Sequence, residues 1–456
     1  MISTRFRWFV ASVVIAVSVW TADRPARAQV TLRRLTLVTV TDTTATLTWE
    51  TDRPANTLVR YGTQPGRLDR PVSSGDAPVR FHHCELRGLR PGTRYYYVCQ
   101  SGATRESTAP LSPGRFTTLV PPPGPELFRF ATMTDTHVGQ EWAARLALSS
   151  GKIVSEGVQW RDPDVPFWEL AVRASVDEIN ARRVAFAVVK GDVTHSGTDG
   201  EFSAAKRLLD QLEQPYHVVR GNHDALTPLL RTFGRRRPWY SFDHQGVHVV
   251  VLDTEPIAHG SAPSFQAQLT WLADDLAKHG QKRTFVFVHR PIPPKLTRAT
   301  GRVSQSLYKL GRDMLKKGLG ARASSVLDRA SGRDPAIQPA NAVRLAELFR
   351  RHGRVVGVFA GHLHRNYVGY WPEQTGNLPY VETASTKEYP CGYAITRVFA
   401  GGYLHAYHVP AEARCLEWSA MTQDAYAKIG FASKVGGLTD RCFVVRFDQL
   451  DLNPRK

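Results

Sequence analysis

Six short apolar runs alternate with helical stretches over residues 127–361, and this alternation is the strongest constraint on the fold. The runs are LFRFATM (127–133), VAFAVV (184–189), YHVV (216–219), VHVVVLD (247–253), TFVFVH (284–289) and VVGVFAG (355–361). Between them, FWELAVRASVDEINARR (167–183) and FQAQLTWLADDLAKHG (265–280) carry a helical period. Runs of this length separated by amphipathic helices predict a layered α/β domain.

Each of five runs is followed by polar residues of one chemical kind. Asp135 and His137 follow the first, Asp192 the second, and Asn222 and His223 the third, while His289 and then His362 and His364 follow the last two. Open α/β sheets keep ligands at the carboxyl ends of their strands. One such turn reads as a polar loop; five in series read as a site. Mixed nitrogen and oxygen donors suit Fe, Mn, Zn or Co better than Ca or Mg. Two such cations about 3.5–4 Å apart clamp a phosphoryl group and turn a shared water into hydroxide.

The first hundred residues have a different texture. ATLTWETD, NTLVRYG and RYYYVCQ read as strands divided by turns, and no helical period appears over residues 29–119. LRGLRPGTRYYYV matches a sandwich corner at which the Tyr95 hydroxyl bonds back to the backbone. This part resembles a fibronectin type III domain and is similar to the N-terminal sandwich of purple acid phosphatases, which ends in an FTT strand, here 116–118. VPPPGPE (120–126) reads as a stiff linker.

The order D-x-H, GD, GNHD, VH, GHLH over 127–410 resembles the calcineurin-like metallophosphoesterase superfamily. The resemblance implies a four-layer αββα domain. It further implies two transition-metal ions, divalent or trivalent. Asp135, His137, Asp192 and His364 would hold one ion; Asp192, Asn222, His289 and His362 would hold the second, with Asp192 bridging. His223 would contact the phosphate and assist the leaving group, with Asp224 orienting it. Purple acid phosphatases have D-x-G where this chain has Asp135–His137, and a tyrosine ligand where it has His195. The catalytic part is therefore more similar to the cyclic-nucleotide and glycerophosphodiester phosphodiesterase branch, and His195 reads as a rim residue. Arg290 reads equally as a phosphate contact or an ion-pair partner, and His82, His83 and His217 as ordinary structural histidines.

The expected activity is hydrolysis of a small phosphodiester. A phosphomonoesterase on the same site is the competing enzyme reading. A secreted binding protein with a relic second domain is the third, disfavoured because every ligand position is filled. The formal charge of +18 favours anionic partners, either the ester itself or an anionic envelope surface, and equally reflects a solubilising surface. No specific nucleic-acid partner is inferred.

Residues 1–28 read as a signal peptide: Arg5 and Arg7, the apolar WFVASVVIAVSVW, and ARA at 26–28, with cleavage expected after Ala28 and a secreted or periplasmic product. Residues 411–456 read as an extension packed on the catalytic domain. Stretch 295–335 reads as a basic helix-and-loop insertion. In an exported chain the five cysteines are expected to pair in part: Cys84–Cys99 across the sandwich, and Cys415–Cys442.

Overall fold

The computed structural model describes residues 30–75, 77–106, 113–147, 153–162, 164–259, 262–292, 339–370, 377–428 and 432–450. The expected signal peptide and basic insertion lie outside these residues.

The N-terminal part is a β-sandwich. Strands β1 (Leu32–Val40), β2 (Ala45–Ala55) and β5 (Val79–Leu86) form one sheet. Strands β3 (Leu58–Gly62), β4 (Arg70–Ser73), β6 (Arg94–Ser101), β7 (Thr104–Glu106) and β8 (Gly114–Thr117) form the other. Alternation drives the packing: Ala45, Leu47 and Trp49 of β2 point inward and meet Tyr95, Tyr97 and Phe116 from the facing sheet. The corner forms as read, with the Arg90 amide donating to the Tyr95 hydroxyl at 3.0 Å.

The second part carries two six-stranded sheets. One, in order β13-β12-β9-β20-β21-β22, uses β9 (Glu126–Met133), β12 (Phe186–Lys190), β13 (Tyr216–Val219), β20 (Tyr393–Phe399), β21 (Gly402–His408) and β22 (Cys442–Arg446). The other, in order β14-β15-β16-β17-β19-β18, uses β14 (Tyr240–His244), β15 (Val247–Val251), β16 (Arg283–Phe287), β17 (Val355–Ala360), β18 (Tyr367–Tyr370) and β19 (Pro379–Glu382). The short pair β10 (Leu146–Ala147) and β11 (Ile153–Ser155) lies apart. Strands β9, β12 and β13 run parallel, as do β15, β16, β17 and β19.

Strands buried on both faces need continuous apolar runs, which explains why VAFAVV and TFVFV lack alternation. Between the sheets lies a core of Phe130, Phe186, Phe285, Phe287 and Phe359; the Phe130 ring meets those of Phe285, Phe287 and Phe359 edge-on at 5.5–5.7 Å. Helices Phe167–Ala181 and Asp199–Leu209 cover the outer face of the first sheet, and Ala262–Lys278 and Pro339–His352 that of the second. The result is four layers, αββα.

The C-terminal residues are built into this frame. Strand β22 closes the edge of the first sheet beside β21. Helix Ala413–Lys428 packs through Trp418, which stacks on Phe167 at 4.4 Å and donates from Nε1 to the Lys387 carbonyl at 2.6 Å. The proline-rich segment is pinned to the β20–β21 turn, the Gly401 amide donating to the Pro123 carbonyl.

The expected disulfides are absent: all five thiols are free and buried. Cys84 and Cys99 lie on strands of different sheets. Both are buried in the sandwich core, where the Cys84 thiol is directed at the Val72 carbonyl at 3.9 Å rather than at Cys99. Cys415 meets the Cys391 thiol instead of Cys442, whose sulfur accepts from the Val40 amide at 3.2 Å.

Candidate metal centre

The five polar turns converge at the carboxyl ends of β9, β12, β13, β16 and β17. Their backbones are forced. Asp135, His137, Asp192, His362 and His364 all have positive φ, from 41° to 69°. Each such conformation costs on the order of 1–3 kcal/mol for a residue with a Cβ, and such clusters mark functional sites. The preceding glycines make room. A Cβ on Gly191 would come within 2.5 Å of His289 Nδ1, and one on Gly221 within 2.1 Å of the Asp192 amide.

Two groups of donors that include a carboxylate form here, beside a third of His137, His195 and His223. In the first, His364 Nε2 lies 3.0 Å from Asp135 Oδ1, and His137 joins them. In the second, His289 Nε2 lies 3.3 Å from Asp192 Oδ2, with His362 beside them. Asn222 Oδ1 sits 3.0 Å from the same His289 nitrogen. Asp192 joins the groups, because its Oδ2 is also 3.5 Å from His137 Nε2.

The outer nitrogens are tied down. His289 Nδ1 donates to the Lys190 carbonyl at 2.8 Å, and His364 Nδ1 donates to Glu388 at 2.6 Å. Both rings thus turn Nε2 inward, as partners of ligating histidines do. The Asp135 carboxylate accepts from Thr134 Oγ1 at 2.5 Å and from the His362 amide. Beneath it, the buried Lys190 ammonium donates to the Ala360 carbonyl and Thr383 Oγ1.

The titration behaviour follows from burial and pairing. Burial pushes Asp135 up, but His364 outweighs it and holds the carboxyl below its ordinary range. Asp192 is likewise held well below, burial being overcome by His289 and then His137. His289 is driven the other way, to about 9: burial opposes charge, and Asp192 wins. His137 and His362 are pushed down, mainly by burial, and stay neutral donors. The carboxylates draw protons onto His289, the same demand for positive charge that a metal ion meets.

His137 provides the test of fit. Its ring is buried and neither nitrogen has a hydrogen-bond partner, an arrangement that costs about 1–3 kcal/mol per orphaned group unless a ligand satisfies it. Bonds of about 2.0–2.2 Å place neighbouring donors roughly 2.8–3.6 Å apart around one ion. The observed 3.0, 3.3 and 3.5 Å separations fall within that range. The donor set fits two transition-metal ions.

One expected pairing does not form, and one open alternative is decided. Asp224 does not orient His223: its carboxylate accepts from the amides of Val193, Thr194 and Gly221 and from Thr194 Oγ1, and so braces the turn that carries Asp192. A carboxylate ringed by four local donors has no oxygen left for a neighbouring ring. His223 is instead held by His195, whose carbonyl accepts from Nδ1 at 2.6 Å, and the two rings stack at 5.5 Å. Arg290 is an ion-pair partner of Glu255 at 2.7 Å that also donates to His362 Nε2 at 3.2 Å. Glu388 and Lys387 gave no signal in the sequence, since they belong to no motif and reach the site only through the fold, whereas Lys190 ends the strand that delivers Asp192 and could have been singled out as a charge closing an apolar run.

A two-sheet αββα domain that gathers His, Asp and Asn donors at five strand ends defines the metallophosphoesterase class. The chain belongs to the calcineurin-like phosphoesterase family, whose model matches residues 128–366. The purple acid phosphatase N-terminal domain model matches residues 31–118. Among curated proteins, the chain is 25% identical over 276 residues to purple acid phosphatase 22 of Arabidopsis thaliana, covering 53% of this chain and 52% of that one. It is 23% identical over 192 residues to a probable glycerophosphodiester phosphodiesterase of Arcobacter nitrofigilis, covering 40% and 58% respectively. The chain thus spans about half the length of these relatives. Among solved structures, a dimetal phosphatase from Danio rerio aligns with a TM-score of 0.43 at 14% identity, covering 62% of this chain and 96% of that one.

Proposed function

We propose that the chain is an exported hydrolase of phosphodiesters that works with two transition-metal ions. Asp135, His137, Asp192 and His364 hold one ion; Asp192, Asn222, His289 and His362 hold the other. The ions supply Lewis-acid charge to a phosphate ester and lower the pKa of water. The rest is done by the chain. Glu388 and the Lys190 carbonyl fix the inward nitrogens of His364 and His289. Asp224 holds the turn of Asp192. His223 Nδ1 is engaged with the His195 carbonyl, so a proton given to a leaving oxygen comes from Nε2.

The observation that carries the diester reading is the His137 imidazole, buried beside Asp192 where the purple acid phosphatase pattern has glycine. The similarity of residues 31–118 to the purple acid phosphatase N-terminal domain favours a monoesterase. A substrate panel separates the two. The metal-loaded chain is expected to give a higher kcat/KM on bis(p-nitrophenyl) phosphate than on p-nitrophenyl phosphate, and a chelator is expected to abolish both. A reversed ratio establishes the monoesterase reading.

Export rests on Arg5, Arg7, the apolar run and Ala26–Ala28. Among the described residues no helix is long and apolar enough to cross a membrane. N-terminal sequencing of the mature product, expected to begin at Gln29, tests it.

A further inference from the structure

We propose that Asp243, His248 and His279 form a third metal site, for a divalent transition-metal ion of the zinc type, at the end of the second sheet opposite the catalytic centre. Asp243 on β14 and His248 on β15 are direct cross-strand partners. His279 follows the helix Ala262–Lys278, and its ring stacks on that of His248 at 3.9 Å with the planes 12° apart. One donor atom from each of the three residues lies within 4.8 Å of the others.

Asp275 decides which nitrogens are presented. Its Oδ2 accepts from His248 Nε2 at 2.9 Å, and its backbone carbonyl accepts from His279 Nδ1 at 2.8 Å. Its Oδ1 is held by the Ser241 hydroxyl at 2.8 Å, which fixes the carboxylate. The remaining nitrogens, His248 Nδ1 and His279 Nε2, both face Asp243, at 2.8 and 3.7 Å from its two oxygens. Two imidazoles whose outer nitrogens are tied to one acidic residue, turned toward a common carboxylate, reproduce the outer-partner logic of a metal site. Two nitrogens and one oxygen select Zn, Cu, Ni or Co over Mg or Ca.

The Asp243 side chain is 41% exposed, so an ion enters from solvent while His248 stays buried. Lys282 now sits on Asp243 Oδ2 at 2.7 Å. Its ammonium is a single charge on a flexible stem, 37% exposed, and swings into water when a divalent ion takes its place. The site is separate from the catalytic one. His248 pairs in register with Thr284, five residues before His289 along the same strand direction, or about 16 Å.

The test is a count of zinc. The full chain, stripped with chelator and dialysed against buffered free Zn²⁺, is expected to hold one ion more than either His279→Ala or Asp243→Asn. Hydrolysis by both variants is expected to equal that of the parent chain. Lys282→Met keeps every ligand and removes the competing ammonium, so it is expected to fill the extra site at lower free zinc. Equal zinc content in the parent chain and both ligand variants at every free-zinc concentration overturns the proposal, as does a Lys282→Met chain that fills no earlier. The count is a difference between chains with the same catalytic centre, so it holds however many ions that centre binds.

Discussion

Glu388 accepts the Nδ1 proton of His364 at 2.6 Å while its two oxygens take the ammonium groups of Lys434 and Lys387, each at 2.8 Å. One buried carboxylate therefore aims a candidate ligand and pairs with two ammonium groups.

Its loss is expected to act in two separable ways. Glu388→Gln keeps an acceptor for His364 but removes the charge, and outer-partner changes of this kind cost about 10–100-fold in metal affinity. Titration of stripped protein with Mn²⁺ or Zn²⁺ reads this, and an unshifted curve refutes the positioning role. Glu388→Ala leaves the Lys387 ammonium buried without its carboxylate partner. That is expected to cost about 3–5 kcal/mol, measured as a lower urea midpoint in the metal-free protein.

Asp192→Asn tests the shared carboxylate. Asp192 Oδ2 lies 3.3 Å from His289 and 3.5 Å from His137, so it belongs to both donor groups. Removing its charge is expected to weaken both ions together and to lower turnover by several orders of magnitude. Metal analysis showing two ions per chain with near-parental turnover contradicts the assignment.

What could be read in the sequence was whatever repeats. Asp135, Asp192, Asn222, His289 and His362 each follow an apolar run, and strands of a parallel sheet deliver their carboxyl ends to one side, so a one-dimensional pattern became a three-dimensional site. The sandwich corner was legible because Tyr95 and Arg90 are neighbours in the chain. Glu388 was not: it lies 24 residues from His364 in a loop held by Trp418 and Thr422, and nothing local to it marks the role. The cysteines misled for the same reason. Inward-facing position does not aim one sulfur at another, and Cys415 found Cys391 through a helix docking that has no local signature. Asp224 was read as a partner of its neighbour His223, but the tight turn points its carboxylate at backbone amides instead.

His289 sets an expected pH dependence. In the metal-free chain its pKa is raised to about 9, Asp192 outweighing burial, so near about pH 7 it carries a proton that a metal must displace. Metal uptake is therefore expected to release that proton, and affinity to rise by up to about tenfold per pH unit from this group until the folded pKa is reached. Calorimetry in two buffers of different ionisation enthalpy counts the protons. The stability sign is opposite. A raised folded pKa contributes stability that is fully present below the ordinary value of about 6.5 and is lost as pH rises through about 9. The metal-free chain is expected to lose that contribution over this window and a His289→Gln variant to show a flatter profile; parallel profiles contradict it.

The last prediction concerns His223, which lies beside both donor groups without being tied to Asp224. Its Nδ1 is engaged with the His195 carbonyl at 2.6 Å, and its ring centroid is 4.6 Å from that of His137. Nε2 is thus the atom available to a leaving oxygen. If it donates a proton there, the benefit depends on how basic that oxygen becomes. An alkoxide needs the proton; a nitrophenolate, a weak base, leaves almost as well without it. His223→Ala is therefore expected to keep its metal content and to lose about 10²–10⁴ in kcat on an alkyl ester, the usual range for general acid catalysis, with a clearly smaller loss on an activated aryl ester. An equal loss on both substrates identifies His223 as a phosphate-binding group, because binding does not sense the leaving oxygen. Loss of metal in the same variant makes His223 a ligand, which the grouping of His137, His195 and His223 within 4.8 Å of one another would then explain.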